Sequence, residues 1–385
     1  MVVGGLVGAV LAYIFQAVGT RVLGVDGFAP IAAIWTAFFI LASVLLVPLE
    51  QYATREVSRG RSMADDRKVF VWVMTIGVVA GAMFVFTMLE SLFDGDPVYV
   101  VVMSLLVIGY AVLFTAKGVL AGNRRFADIG WVLGLEGVFR LVAGLALLAL
   151  VVDASALAWA MVIAPLSAVV LRFWRHDRSE GVIEPVGARG FLGAYIGASS
   201  ASQILLAGAP LGVIALGGSR GLFAAVFVLF TLYRAPLTLI YSLQSRILPH
   251  LVTMAGNDDD AGLRRIAIRV IGVGTALTVL GGLVGWLVGP QVVALLFSEE
   301  ARPVAVVAAL TAAGVMAAST AQIGGQVLVA RANTGALAVA WAVGLTVAVV
   351  VMVASAGSPD LRVAIGFLSG ELVAMSAVGF LITRS

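Results

Sequence analysis

The stretch YIFQAVGTRVLGVDGFAPIAAIWTAFFI, residues 13–40, sets two apolar runs on either side of a short polar turn. The runs extend to about residues 2 and 48, so each can supply the roughly 20 residues that a helix needs to cross the hydrocarbon core of a bilayer. They are continuous and do not alternate with polar residues, which favours membrane helices over a membrane β-barrel. The stretch therefore predicts two transmembrane helices joined by a tight connection.

The same pattern recurs along the whole chain of 385 residues, of which 61% are hydrophobic and only 12% charged. Soluble domains carry about 25% charged residues. We therefore predict an all-α polytopic membrane protein with about 12 transmembrane helices. The predicted spans are 2–20, 28–48, 69–90, 97–121, 129–152, 154–173, 190–216, 221–245, 265–288, 303–330, 333–356 and 362–382.

Basic residues are distributed unevenly over the loops between these spans. If the N-terminus is cytoplasmic, seventeen of the 24 lysines and arginines fall on the cytoplasmic side and four on the other. Cytoplasmic loops carry the excess of positive charge, so this distribution predicts that both termini are cytoplasmic. The composition, rich in Ala, Val and Gly with few lysines, is typical of a GC-rich bacterial genome. We expect a multi-pass protein of the bacterial cytoplasmic (inner) membrane.

The sequence offers few groups for covalent or metal chemistry. It has no cysteine, and His176 and His250 are too far apart in sequence to suggest a metal site. No paired catalytic carboxylates or nucleophile arrangement is recognisable, and the predicted outer loops are too short to form an acceptor-binding domain. We therefore expect no enzymatic activity, no cofactor, no metal and no nucleic-acid partner.

The two halves of the chain resemble each other weakly. The loop after the first span reads LGVDGFAPIAAIWTAF from Leu23, and the loop after the seventh reads LGGSRGLFAAVFVLF from Leu216. Such a match indicates a duplication of six spans, giving parallel repeats around a central cavity with binding sites near the midplane. We predict an N-terminal six-helix lobe at 1–174, a cytoplasmic linker at 175–189 and a C-terminal six-helix lobe at 190–385.

The opening quarter also resembles a known family. The stretch at 13–40, followed by QYATREVSRGR from Gln51, is similar to the start of the polysaccharide-type (O-antigen/lipid-linked oligosaccharide) flippase branch of the multidrug/oligosaccharidyl-lipid/polysaccharide (MOP) flippase superfamily. An Arg-x-Leu-Gly turn closes the first helix there. The second half is similar too, with Arg234 inside a helix and Leu248-Pro249 at its cytoplasmic end.

This resemblance implies two six-helix lobes that open alternately inward and outward. It also implies a cargo, a polyprenyl-diphosphate-linked oligosaccharide that moves from the inner to the outer leaflet for export of surface polysaccharide. The implied partners are the lipid bilayer, the lipid-linked glycan and membrane proteins of polysaccharide assembly.

Five of the charged side chains inside predicted spans are candidates for a site. Glu136 and Arg140 are four residues apart in the order that favours an ion pair. This pair either fixes helix packing or lets Arg140 bind an anionic head group while Glu136 tunes it. Arg234 has no carboxylate one turn away, so we expect it to face a cavity or a ligand. Lys117 either lines the cavity or extends to the interface, and Glu371 either pairs with a cation or exchanges a proton.

The remaining site candidates are uncharged. Pro236 predicts a bend that is either a hinge for alternating access or an ordinary kink that accommodates packing. Polar side chains in both halves are individually explained by hydrogen bonds between helices, but together they are typical of a hydrated cavity for a sugar. These cavity candidates are Tyr13, Gln16, Gln203, Gln322, Gln326, Tyr233 and Tyr241.

Three functions remain open at this point. A lipid-linked oligosaccharide flippase suits the arginines, because a guanidinium is permanently charged and binds phosphate through two hydrogen bonds. A cation-coupled multidrug or small-molecule antiporter would need buried carboxylates, and the first, seventh and eighth spans contain none. A non-transporting scaffold of a glycan-assembly complex leaves the polar faces of both halves unexplained. The flippase is the leading hypothesis, with a coupling ion, H⁺ or Na⁺, left open.

Overall fold

The computed structural model describes residues 2–58, 60, 67–167, 200–235, 237, 251, 253–255, 257, 259–331 and 333–384. The regular structure in these residues is helical throughout, without β-strands. The chain divides into two compact units, Met1–Gly197 and Ala198–Ser385. The predicted linker at 175–189 lies outside the described residues, so the lobe boundaries remain a prediction.

The first unit consists of long apolar helices with short connections. Its helices are α1 (Val2–Leu41), α2 (Val47–Ser58), α3 (Arg67–Thr87), α4 (Leu89–Leu92), α5 (Val98–Gly122), α6 (Phe126–Leu150) and α7 (Ala154–Ile163). A π-helical turn at Ala42–Leu46 joins α1 to α2, and a 3₁₀ turn at Ala164–Leu166 follows α7. Helix α6 packs on α1 and α7, while α5 packs on α2 and α3.

Helix α1 is a hairpin broken at one residue. Gly24 has a φ of 70° and a ψ of 171°, a conformation open essentially only to glycine. The two legs contact each other, and the ring centroids of Phe15 and Trp35 are 5.7 Å apart. The connection that the sequence places at residues 21–27 is thus a turn at Gly24 with helix on both sides, because a glycine can turn the chain within a single residue.

Replacing Gly24 with alanine should destabilise the protein by about 1–3 kcal/mol, because an L side chain is strained in this region of φ and ψ. The measurement is the thermal midpoint of the detergent-purified protein, followed by tryptophan fluorescence. Gly335→Ala is the matched control, since Gly335 lies in a helix with nothing within 4 Å of where its Cβ would be. Equal midpoints for the two variants would contradict the strained turn.

The second unit is also built from apolar helices. They are α8 (Leu211–Ala215), α9 (Arg220–Tyr233), α10 (Asp260–Leu296), α11 (Ala305–Ala330), α12 (Thr334–Ala354) and α13 (Pro359–Arg384), and residues 200–208 are helical as well. Helix α11 packs on α10 and α13, and α12 packs on α13. Phe230 of α9 contacts Phe367 of α13, with ring centroids 4.8 Å apart.

The helices agree with the predicted spans over the described residues. In the part of the chain that the structure describes, eight helical segments are long and apolar enough to cross a membrane. The first of them, Val3–Ser58, contains both spans of the α1 hairpin region. Two shorter apolar helices, Ala154–Leu166 and Arg220–Tyr233, coincide with the predicted spans 154–173 and 221–245, whose later residues are largely outside the described part. Helix α10 extends to Leu296, so the predicted outer loop there is shorter than expected.

Candidate functional site

A cavity of about 350 Å³ lies within the first unit, between the two legs of α1, the π-helical turn and helices α5, α6 and α7. One wall is made of small residues of the first leg of α1, and the opposite wall is aromatic. The lining residues used below are Gly5, Gly8, Ala9, Ala12, Trp35, Phe38, Phe39, Ser43, Tyr110, Phe114, Lys117, Glu136 and Arg140.

Arg140 lies at the centre of a buried polar cluster in this cavity. Its Nη2 forms an ion pair with Glu136 one turn earlier on α6 and donates to the Tyr110 hydroxyl at 2.7 Å. The Tyr110 hydroxyl in turn donates to Glu136. The guanidinium carbon also lies 4.9 Å from the ring centroid of Trp35, within the range of a cation–π interaction. Arg140 is thus held from three helical segments and is 7% exposed.

Lys117 forms a second ion pair, between α5 and α2. Its Nζ lies 2.7 Å from Oε2 of Glu50 and 4.2 Å from the ring centroid of Phe114. The lysine and glutamate side chains are 14% and 17% exposed, so the pair is less enclosed than the Arg140 cluster. Lys117 lines the cavity, and Glu50 is not among its lining residues.

The π-helical turn shapes the wall of the cavity next to Trp35. The backbone N–H of Val47 donates to the carbonyl oxygen of Ala42, the five-residue spacing of a π-helix. Such turns insert one extra residue into an α-helix and are frequent at functional sites. Ala42 and Ser43, which belong to this turn, both line the cavity. The turn therefore brings one hydroxyl into an otherwise aromatic wall.

The arrangement suits an amphiphilic ligand. Its aromatic and small residues offer apolar surface, and its charged groups are few and placed at fixed positions, as in most ligand pockets. Each of the two cations holds one carboxylate, so the cluster is balanced in charge. Among the described residues, no group of three or more Asp, Glu, His or Cys is placed to hold a metal ion.

The second unit holds the other two charged candidates. Arg234 directly follows α9 and donates from Nη2 to the carbonyl oxygen of Leu206. Glu371 on α13 is completely buried, and neither of its carboxyl oxygens has a hydrogen-bond partner among the described residues. Arg234 is close enough to interact with Glu371 electrostatically. Both residues lie one turn beyond the contacting rings of Phe230 and Phe367.

The uncharged candidates are spread over both units. Gln16 is buried on α1, and Tyr13 is half-buried there; neither lines the cavity of the first unit. Gln322 and Gln326 are half-buried on α11, where the Gln326 amide donates to the Gln322 carbonyl at 3.4 Å. Gln203 is half-buried in the helical residues 200–208.

Tyr233 ends α9, and its hydroxyl would lie 2.2 Å from a Cβ at Gly289 of α10. This close approach shows that the tyrosine packs against the glycine backbone of the neighbouring helix. Tyr241 and the predicted hinge Pro236 lie outside the described residues, so their roles remain predictions.

Sequence reasoning missed three residues that contact the charged side chains of the cavity. Glu50 lies at the cytoplasmic end of a predicted span and looks there like a solvated acid, while Tyr110 and Trp35 look like ordinary apolar-span aromatics. The one available signal for Glu50 was the need of Lys117 for a counter-ion inside a membrane. No local sequence pattern predicts the contacts of Tyr110 and Trp35 with Arg140.

Comparisons with known proteins identify relatives and solved structures that are similar to this chain. No family model matches the chain. An uncharacterized protein of Mycobacterium bovis and one of Mycobacterium tuberculosis are each 25% identical to it, over 95% of this chain and 87% of theirs. An inward-facing MATE-family multidrug resistance transporter of the MOP superfamily is similar in structure, with a TM-score of 0.73 and 16% identity over 98% of this chain and 93% of that one.

Two further solved structures are similar. A Vibrio cholerae MATE transporter has a TM-score of 0.63 at 15% identity, covering 99% of this chain and 94% of its own. A MOP superfamily transporter from Pyrococcus furiosus has a TM-score of 0.65 at 16% identity, covering 99% and 93%. Its description reports a binding pocket of reverse polarity that suggests a different function for that protein.

These similarities show that the chain has the same fold as these transporters. MATE transporters have twelve transmembrane helices in two lobes. The predicted fold class, an all-α polytopic membrane protein with about 12 helices in two six-helix lobes, is confirmed. Two of these structures are described as members of the superfamily that the resemblance named, and none of the three is described as a polysaccharide flippase.

Proposed function

We propose that this chain is an alternating-access transporter of the bacterial cytoplasmic membrane that moves an amphiphile with an anionic head, specifically a polyprenyl-diphosphate-linked oligosaccharide, to the outer leaflet. The observation that carries the proposal is the charge arrangement of the cavity in the first unit. Lys117 lines this cavity while its partner Glu50 does not, and the carboxylate of Glu136 is held by Arg140 and Tyr110. The charged lining residues Lys117, Arg140 and Glu136 therefore favour an anion.

The fold and the size of the cavity are consistent with this cargo. The similar structures are transporters, and one of them carries a pocket of reverse polarity on the same fold. A volume of about 350 Å³ corresponds to roughly a dozen water molecules at about 30 Å³ each. It is large enough for a phosphate group with part of a sugar, while the polyprenyl tail remains in the lipid.

Arg234 of the second unit is also proposed to bind the anionic head of the cargo during the transport cycle, with Pro236 as the hinge that lets its helix bend. Arg234→Ala should then abolish transport while the protein remains in the membrane. The measurement uses proteoliposomes with a fluorescent polyprenyl-diphosphate oligosaccharide, and scores the fraction that an added impermeant reagent reaches. Arg220→Ala, which removes the same charge from the other end of the same helix, is the matched control.

Wild-type protein and Arg220→Ala should expose nearly all of the labelled lipid, and Arg234→Ala only the outer leaflet. Unchanged transport in Arg234→Ala would remove this arginine from the mechanism. Exposure of only the outer leaflet by the wild-type protein, even with imposed proton, sodium and potential gradients, would overturn the proposed cargo.

A second candidate is a cation-coupled multidrug antiporter. Glu371 favours it, because a fully buried carboxyl group without hydrogen-bond partners among the described residues is suited to exchanging a proton. The MATE transporter that is similar in structure is described as a multidrug resistance protein. Drug susceptibility of a deletion strain separates the two candidates: increased susceptibility to cationic drugs supports the antiporter, and an unchanged profile supports the flippase.

A further inference from the structure

We propose that Lys117 forms an anion-binding subsite in the cavity of the first unit, and that Glu50 is an intramolecular occupant which the phosphate of the cargo displaces. This inference rests on the proposed function, because it assigns one phosphate of the anionic head group to the Lys117 ammonium. Glu50 then has the role of a built-in competitor that helps to release the cargo.

The ammonium of Lys117 can donate more hydrogen bonds than it forms with described residues. It can donate three hydrogen bonds, and its single hydrogen bond to a described residue goes to Oε2 of Glu50 at 2.7 Å. Its other close neighbour is the face of Phe114, with the ring centroid 4.2 Å from Nζ. Since Lys117 lines the cavity, the remaining donors are available to a ligand there.

The two cations of the cavity differ in how firmly they are held. Arg140 is 7% exposed and interacts with Glu136, Tyr110 and Trp35 at once. Lys117 holds one carboxylate, and both partners remain accessible to solvent, at 14% and 17% exposure. A partly exposed ion pair contributes little to stability, whereas a buried one is costly to break. An entering phosphate therefore competes with Glu50 and leaves the Arg140 cluster intact.

The exchange requires only movement of side chains. A Cβ at Gly118 would lie 2.5 Å from the carbonyl oxygen of Glu50, so the backbones of α5 and α2 are in contact next to the ion pair. Helices this close cannot approach further, and their packing at a glycine holds the two backbones together. Glu50 consequently leaves Lys117 by rotating about its own side-chain bonds.

The charged residues that line the cavity determine whether it favours an anionic or a cationic ligand. A cationic ligand would have to replace Lys117 as the ion-pair partner of Glu50, but Glu50 does not line the cavity. An anionic ligand meets Lys117 directly. The diphosphate of the cargo, with one negative charge on each phosphate, also offers more acceptor oxygens than the single carboxylate that it replaces.

The test measures binding of farnesyl diphosphate, a short prenyl diphosphate, to the full chain in nanodiscs of neutral phosphatidylcholine. Glu50→Gln should bind it about tenfold more tightly, because the competing carboxylate is gone while the ammonium remains. Lys117→Gln should bind it at least about tenfold more weakly, and Lys117→Arg should retain binding. Lys68→Gln, at the exposed start of α3, removes the only other lysine and should change nothing.

Two results would overturn the subsite. One is binding by Lys117→Gln at the wild-type level; the other is weaker binding by Glu50→Gln, which would mean that Glu50 positions the lysine and does not compete. If Lys117→Gln fails to fold, Glu50→Gln and Lys117→Arg still decide between these outcomes. A competing tetraphenylphosphonium titration that loses affinity in Glu50→Gln would instead assign the pair to a cationic ligand.

The proposed cargo and the proposed Lys117 subsite can be contradicted independently of each other. If the variants change farnesyl diphosphate binding as expected but wild-type proteoliposomes do not move the polyprenyl-diphosphate oligosaccharide, the subsite stands and the cargo is wrong. If wild type moves that lipid and Lys117→Gln moves it equally fast, the cargo stands and the subsite is wrong.

Discussion

Replacing Arg140 with methionine should lower the free energy of unfolding by about 3–5 kcal/mol, the usual cost of removing one partner of a buried ion pair. Glu136 would remain 8% exposed, with only the Tyr110 hydroxyl to stabilise its charge. The measurement is chemical denaturation of the detergent-purified protein, followed by tryptophan fluorescence.

The matched control is Arg302→Met, which breaks an exposed pair with Glu299 at 48% and 77% exposure. It should cost at most about 1 kcal/mol. The double variant Glu136→Gln/Arg140→Met should recover most of the loss, since it leaves no unpaired charge in the cavity. Equal destabilisation by the single and double variants would show that Arg140 acts through packing against Trp35 and not through its charge.

Gly370→Leu should destabilise the second unit by about 3 kcal/mol or more and should reduce the yield of folded protein. A Cβ at Gly370 would lie 2.6 Å from the carbonyl oxygen of Gly344, and a Cβ at Gly344 would lie 2.8 Å from that of Gly370. The backbones of α12 and α13 therefore touch at this point, as at other small-residue contacts between membrane helices. A larger side chain forces the two helices apart.

Gly272→Leu is the control for this variant. Gly272 lies inside α10 and has nothing within 4 Å of where its Cβ would be, so the same added volume enters open space there. Thermal midpoints and the fraction of monodisperse protein in size-exclusion chromatography give the comparison. Similar behaviour of the two leucine variants would contradict a tight contact at Gly370.

Hydropathy predicts the helical class and most of the spans because a membrane helix satisfies its own backbone hydrogen bonds and needs only length and apolar side chains. The pairing of Glu136 with Arg140 follows from their spacing on one helix. The contacts of Tyr110 and Trp35 with Arg140 do not follow from local spacing, because they depend on how α5 and α1 pack on α6. Distant residues become neighbours only through that packing.

The sequence leaves the position of Lys117 open, since it predicts that this residue either lines the central cavity or extends to the interface. In the structure Lys117 lines a cavity within the first unit and pairs with Glu50. Its role in a binding site stays a prediction. Glu50 belongs to a different helix, 67 residues away in sequence, so no short-range rule connects the two. The identity of the cargo depends on a few side chains, whereas the fold depends on hundreds. The sequence therefore predicts the fold more readily than the cargo.

The π-helical turn at Ala42–Leu46 also bears on how this chain can diverge. Because the turn already contains one surplus residue, losing one there leaves a regular α-helix and keeps Glu50 in register with Lys117. A deletion within Val47–Ser58 would instead rotate the residues beyond it by about 100°. Homologues are therefore expected to vary in length by one residue at the π-helical turn. The helices on either side of the turn are expected to keep the same length.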